Sequence, residues 1–177
     1  METAIFANGC FWCTEAVFQR LKGVHSVLPG YTGGARPNPS YDQVSTGATG
    51  HAEAIKIEFD PEVITYETLL DIFFHTHNPT TLNRQGNDVG TQYRSAIFYD
   101  TDEQKSLAEQ KITELEVAHE FKDPIVTEVT NLETFYPAED YHKDYYEKNK
   151  DKPYCTFVIR PKLQKLLEKY SQLTTHI

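Results

Sequence analysis

The chain has 177 residues, 39% hydrophobic and 24% charged, with a formal net charge of −9; this excludes disordered and low-complexity classes and withholds the basic face that nucleic-acid binders use to release counterions. At roughly 150 residues per domain, residues 1–177 are expected to form one domain, which buries about 70% of its unfolded surface without disulfides or metals. No apolar run approaches the ~18 residues of a membrane span, and the first strand follows Met1 closely, so neither a membrane association nor a signal peptide is expected and the chain is placed in the cytoplasm.

Thr3 to Asn8 reads as a short apolar strand ending at Gly9. Thr14, Val17, Phe18 and Leu21 follow with helical spacing, and Gly23 stops that helix. Val24 to Gly30 is a second strand. Ile55, Ile57 and Phe59 alternate with Lys56 and Glu58 in a half-buried third. Tyr66, Leu69, Leu70 and Phe73 predict a second helix with Thr65 as N-cap. Asn78 to Gly90 is a long polar loop, and Ser95 to Tyr99 a strand. Ala108, Ile112 and Leu115 mark a third helix, Ile125 to Val129 a further strand, and Pro161 opens a last helix through Tyr170. The first six elements spell β-α-β-β-α-β, the split order of a ferredoxin-like two-layer α+β sandwich, with additional C-terminal helices and a strand.

Three cysteines, Cys10, Cys13 and Cys155, are too few and too odd in number for a secreted disulfide framework. In a reducing compartment such cysteines are catalytic, redox-active or metal-binding. Gly9-Cys10-Phe11-Trp12-Cys13 sits at a strand-to-helix junction, where backbone N–H groups and the helix dipole favour a thiolate at Cys10. Phe11 and Trp12, the only Trp, suggest a pocket for a small apolar group. The plainer alternative is two buried, inert cysteines in a turn. The C-x-x-C spacing also admits a dithiol oxidoreductase or half of a zinc site, but zinc needs about two more ligands and no second such pair exists, so no metal is expected.

Glu53, in Gly50-His51-Ala52-Glu53, shares the parity of Ile55 and Ile57 and so points inward. A buried carboxyl holds its proton toward neutral pH and can donate it; a Glu turned to solvent is the alternative. His51 reads as a turn residue. The loop Asn83 to Arg94 is rich in polar amides, and loops of this length are functional or disordered. Tyr136 to Tyr146 holds four tyrosines in eleven residues and reads as a solvated helix with one aromatic face.

Together, Gly9–Trp12, the Gly30–Gly34 turn, Gly50–Glu53, Asn83–Tyr93 and Ala138–Tyr146 resemble the A-type peptide methionine sulfoxide reductases over Thr3 to Cys155. The resemblance implies reduction of the S epimer of methionine sulfoxide, free or in oxidised proteins, for protein repair under oxidative stress. It implies Cys10 as nucleophile, Glu53 as the acid protonating the sulfoxide oxygen, and Tyr41 and Tyr93 as hydroxyls binding that oxygen. Phe11 and Trp12 become walls around the substrate methyl, and Asp88 a polar organiser. A sulfenic acid on Cys10 would then condense with a second thiol, with thioredoxin, or dithiothreitol in vitro, as reductant and no bound cofactor. A monomer is expected. That the only Met is Met1 suits an enzyme that meets oxidants.

The sequence departs from the commonest family pattern twice. Many relatives carry Gly at the position of Cys13, and many have a Gly-rich tail with the resolving cysteines. Here Pro153-Tyr154-Cys155 leads into the apolar run Thr156–Ile159 and a helix. Cys155 is the first expectation for the resolving thiol and Cys13 the second. The rival classes are a general dithiol-disulfide oxidoreductase using Cys10 and Cys13, which needs no inward Glu, and a non-catalytic module binding oxidised Met.

Overall fold

The computed structural model describes residues 1–175. Its frame is a six-stranded sheet. The elements are β1 (Glu2–Asn8), α1 (Phe11–Phe18), β2 (Val24–Thr32), α2 (Tyr41–Ser45), β3 (Ala52–Phe59), α3 (Tyr66–His75), a small hairpin of β4 (Arg84–Gln85) and β5 (Asp88–Val89), β6 (Ser95–Tyr99), α4 (Asp102–Val117), β7 (Glu128–Asn131), β8 (Tyr136–Pro137), α5 (Tyr145–Lys148) and α6 (Arg160–Tyr170). The sheet is ordered β7-β6-β1-β3-β2-β8; β1, β2, β3 and β6 pair antiparallel, whereas β7 lies parallel to β6.

Alternation along the strands divides the interior. Phe6, Ile55, Ile57, Phe59 and Ile97 face the helices, where they meet Phe18, Leu69, Phe73 and Leu166 in the main core. Ile5, Ala7, Ala54, Ala96 and Phe98 form a thinner cluster on the other face under Leu132 and Phe135. Gly30 lets Phe135 lie against the backbone of β2, where a Cβ would collide with its ring. Local chemistry sets the helix starts. Thr65 accepts from the Thr68 N–H at 3.1 Å, Thr101 from Gln104 at 3.2 Å, and Ser40 with Gln43 forms a capping box.

Several boundaries differ from the sequence reading. β7 starts at Glu128 rather than Ile125, because Pro124 precedes that run and the Val126 N–H is taken by the Pro79 carbonyl at 2.8 Å. Gly30 to Thr32 continues β2, and the chain turns at Gly33, whose φ is +91°. The Asn78–Gly90 loop contains the β4–β5 hairpin, turned at Gly86 with φ +58°. Tyr136 to Tyr146 is not one helix. β8 pairs with β2, Asp140–His142 is a short 3₁₀ turn, and Asp144 is left-handed at φ +55° before α5 begins. Cys155–Ile159 is a π-helical turn running into α6, with Pro161 in the first helical turn.

Candidate active site

The site grows from the β1–α1 junction. Gly9 has φ +111°, and a Cβ there would lie 2.9 Å from the Gln85 side chain, so the bend accepts only glycine without strain. Cys10 follows as N-cap of α1, with Phe11 at the first helical position and Cys13 at the third. The Thr14 hydroxyl ties the turn together through Asn8 Oδ1 at 2.5 Å.

Glu53 arrives from the start of β3, beside β1, and is 1% exposed. Its Oε1 accepts the Phe11 N–H at 3.1 Å. Its Oε2 is buried and finds no partner among the described residues. Burial, reinforced by the charges of Asp88 and Cys13 and opposed by the Phe11 hydrogen bond, pushes its carboxyl up to about 8. The acid is therefore neutral at pH 7, and with Oε1 accepting, its proton belongs on Oε2.

Tyr41 opens α2, and Tyr93 ends the 3₁₀ turn Thr91–Tyr93. Both are partly buried, and burial, with Glu53 and Cys10 facing them, keeps both phenols protonated far above neutral pH. Glu139, unremarked in the sequence, holds α2 in place by accepting the Tyr41 N–H at 3.0 Å and the Tyr31 hydroxyl at 2.9 Å. Phe11 is fully buried, packed by Tyr31, Tyr41 and His142 with centroids 5.6, 6.3 and 5.0 Å away. Trp12 is the partly open aromatic. It stacks on Tyr145 at 3.7 Å and 7°, and its indole N–H donates to His142 Nδ1 at 3.0 Å. Burial lowers the basicity of His142, so the ring is neutral with its proton on Nε2. The tyrosine-rich segment was conspicuous in the sequence, but its contacts with Trp12 depend on packing across the fold.

All three thiols are buried. Burial, then the Cys13 and Glu53 groups, push Cys10 up rather than down. The hydrogen bond with Cys10, followed by the Lys162 ammonium, pulls Cys13 down to about 7 against burial. Burial thus opposes the thiolate that the helix-terminus argument put on Cys10. Tyr154, missed in the sequence, stands 3.6 Å from Cys13 Sγ and donates to Asp88 Oδ2 at 2.8 Å. Cys155 is fully buried at the start of the π-turn.

Cys10, Asp88 and Tyr154 open onto a cavity of about 710 Å³ bounded by Gln85, Phe157 and Lys162. His51 is structural, accepting the Gly34 N–H on Nδ1 at 3.0 Å. Among the described residues no three His, Cys, Asp or Glu side chains gather as a metal site, and no helix is long and apolar enough to cross a membrane.

The family described as "Peptide methionine sulfoxide reductase" matches residues 2–174. "Peptide methionine sulfoxide reductase MsrA" of Sulfolobus acidocaldarius is 56% identical over 170 residues, covering 96% of each chain. Among solved structures, Mxr1 of Saccharomyces cerevisiae in reduced form has a TM-score of 0.79 at 33% identity, covering 87% of this chain and 88% of that one. Mxr1 in complex with Trx2, at 23% identity, TM-score 0.55 and coverage of 81% and 84%, shares the fold.

Proposed function

The chain belongs to the peptide methionine sulfoxide reductase family and is a methionine sulfoxide reductase, and from that premise we propose that Cys10 attacks the sulfoxide sulfur while Glu53 protonates its oxygen. The carrying observation is the buried, neutral Glu53 with one oxygen bonded to Phe11 and the other unpartnered. A sulfoxide is a poor electrophile until its oxygen is protonated or strongly hydrogen-bonded. Glu53 Oε2 supplies that proton, and the Tyr41 and Tyr93 hydroxyls supply further donors. Cys10 passes its proton to Cys13 as it attacks. The S–O bond of the substrate breaks, the oxygen ends on Cys10 as a sulfenic acid, and methionine leaves.

The substrate methyl packs on Trp12, with Phe11 behind it as a rigid support, and Asp88 fixes Tyr154 beside the thiols. The substrate is the S epimer, as the resemblance to the A-type implies, and thioredoxin is the reductant, a role suggested by the Trx2 partner of Mxr1 and supported by the opening at Cys10. A general dithiol oxidoreductase would leave the inward Glu53 without a task. Residues 1–177 act as one domain in the reducing cytoplasm, where three thiols stay reduced. The four antiparallel strands in the order β6-β1-β3-β2, with α1 and α3 as crossovers, support a ferredoxin-like core.

The deciding assay is turnover of each methionine sulfoxide epimer with dithiothreitol. Reduction of the S epimer alone is expected, and an inert protein would overturn the reading.

A further inference from the structure

We propose that Glu15 is a positioning residue for the reaction: by accepting the Asp144 N–H it holds the segment His142–Tyr145 against Trp12, and so sets the wall on which the substrate methyl packs. This role rests on the preceding reading of Trp12 as that wall and adds the side chain that keeps it in place. Trp12 and Glu15 lie three residues apart on α1, the spacing at which two helical side chains share one face. Trp12 stays partly open, whereas Glu15 is 1% exposed. No step of the reductase chemistry uses this carboxyl, yet a buried carboxyl needs hydrogen-bond partners.

The partner is the backbone of the tyrosine-rich segment. Glu15 Oε2 accepts the Asp144 N–H at 3.0 Å, across 129 residues. The Lys143 ammonium stands 3.8 Å from the same oxygen but donates to the Val27 carbonyl of β2 at 2.7 Å, so it is tied to the sheet. Asp144 is left-handed, with φ +55° and ψ +35°, and its side chain makes no cap bond to α5. A residue other than glycine keeps that conformation only where its surroundings impose it, and the Glu15 bond is one such restraint. The residues on either side of Asp144 both turn back onto α1. Upstream, His142 Nδ1 accepts the Trp12 indole N–H at 3.0 Å, and its ring centroid lies 4.5 Å from that of Tyr41. Downstream, Tyr145 stacks on Trp12 at 3.7 Å and 7°. The indole is therefore gripped at its edge and on its face by residues that flank the N–H bonded to Glu15.

What the contact requires is an acceptor at this reach, not a negative charge. A carboxyl and a carboxamide of the same length both present one; an aspartate falls one methylene short, and a leucine fills the space with no acceptor at all. Without the acceptor the Asp144 N–H loses its partner and the left-handed turn loses a restraint, so His142 and Tyr145 loosen from Trp12 together. The substrate methyl meets the wall in the ground state as in the transition state, so the loss falls on binding rather than on the chemical step. Glu53 is held through the Phe11 N–H instead, and its place beside Cys10 is kept.

The test is single-turnover methionine release by the full chain at varied methionine S-sulfoxide, together with the fluorescence emission of Trp12, which is the only tryptophan and so reports its own contacts. Glu15→Leu should raise the half-saturating concentration about 2–10-fold, the worth of an aromatic contact. It should keep the limiting rate within about 2-fold and move the emission to the red. Glu15→Gln should match the parent in all three readings. Glu15→Asp should fall between the two, and it carries the test if the leucine variant does not fold. Half-saturation or emission at the parent value in Glu15→Leu, or in Glu15→Asp, overturns the assignment. So does a Glu15→Gln as impaired as Glu15→Leu, which would make the charge the essential feature, and so does a limiting rate that falls while half-saturation stays put, the mark of general damage to the site. Methionine release by the parent separates the two levels. Release by the parent with any overturning result sinks only this assignment, whereas no release sinks the reductase reading and the assignment with it.

Discussion

A carboxyl with one oxygen bonded and the other buried without a partner is costly as an anion, and Glu53 is in that position. Replacing it with Gln keeps the Phe11 contact but removes the proton. Single-turnover methionine release should then fall on the order of 10²–10⁴-fold, the usual worth of a general acid; release at the parent rate would refute the role. Because the active form is protonated, the parent's first-turnover rate should decline as pH rises through about 8, a decline absent from the Glu53→Gln variant. This residue was legible in the sequence because strand parity with Ile55 and Ile57 fixes its direction. Tyr154 was not, since its value lies in reaching Asp88, 66 positions away, and no local pattern encodes that contact. The environment of Cys10 was hidden for a related reason. A helix terminus can be read from spacing, but the burial and the Glu53 group that push Cys10 up come from the assembled fold.

Among elements, α1 carries the thiols and is anchored by its own Glu15, whose Oε2 accepts the Asp144 N–H at 3.0 Å. Burial pushes this carboxyl up to about 7. Below the ordinary carboxyl range both folded and unfolded chains hold the proton, and no penalty arises. As pH rises from that range to about 7, only the unfolded chain ionises, so stability falls by about 1.4 kcal/mol per pH unit; above that the contribution is flat. Urea midpoints for Glu15→Gln across pH 5–8 should show its share of that slope removed. At α3 the Thr65 cap predicts that Thr65→Ala loses about 1 kcal/mol in the same assay while the sulfoxide reductase activity is kept; an unchanged midpoint would mean the cap contributes nothing. α3 was legible in sequence because its cap and its apolar stripe agree. The Tyr136–Tyr146 segment was misread because Asp144 adopts a left-handed turn and Tyr136 is claimed by β2, both consequences of tertiary pairing rather than of helical spacing.

For the whole molecule, the helices share one core, so a void anywhere in it weakens the site as a unit. Phe73 is fully buried against Phe6, 5.0 Å between centroids. Phe73→Ala should cost about 3–5 kcal/mol by denaturant unfolding, with reductase activity and the folded signal lost at the same urea concentration. Activity disappearing well before the fold would argue against a single cooperative unit. The contacts that make the site are also remote in sequence: Phe11 meets Glu53 across 42 residues and Trp12 meets His142 across 130. Such long closures are entropically expensive and late to form. On the ribosome, the segment bearing Cys10 therefore emerges before the residues that give it an acid and a pocket. Until Glu139 and His142 have been synthesised to hold Tyr41 and Trp12 in place and the sheet has closed, the growing chain carries an unassisted thiol, and its oxygen-transfer chemistry is withheld.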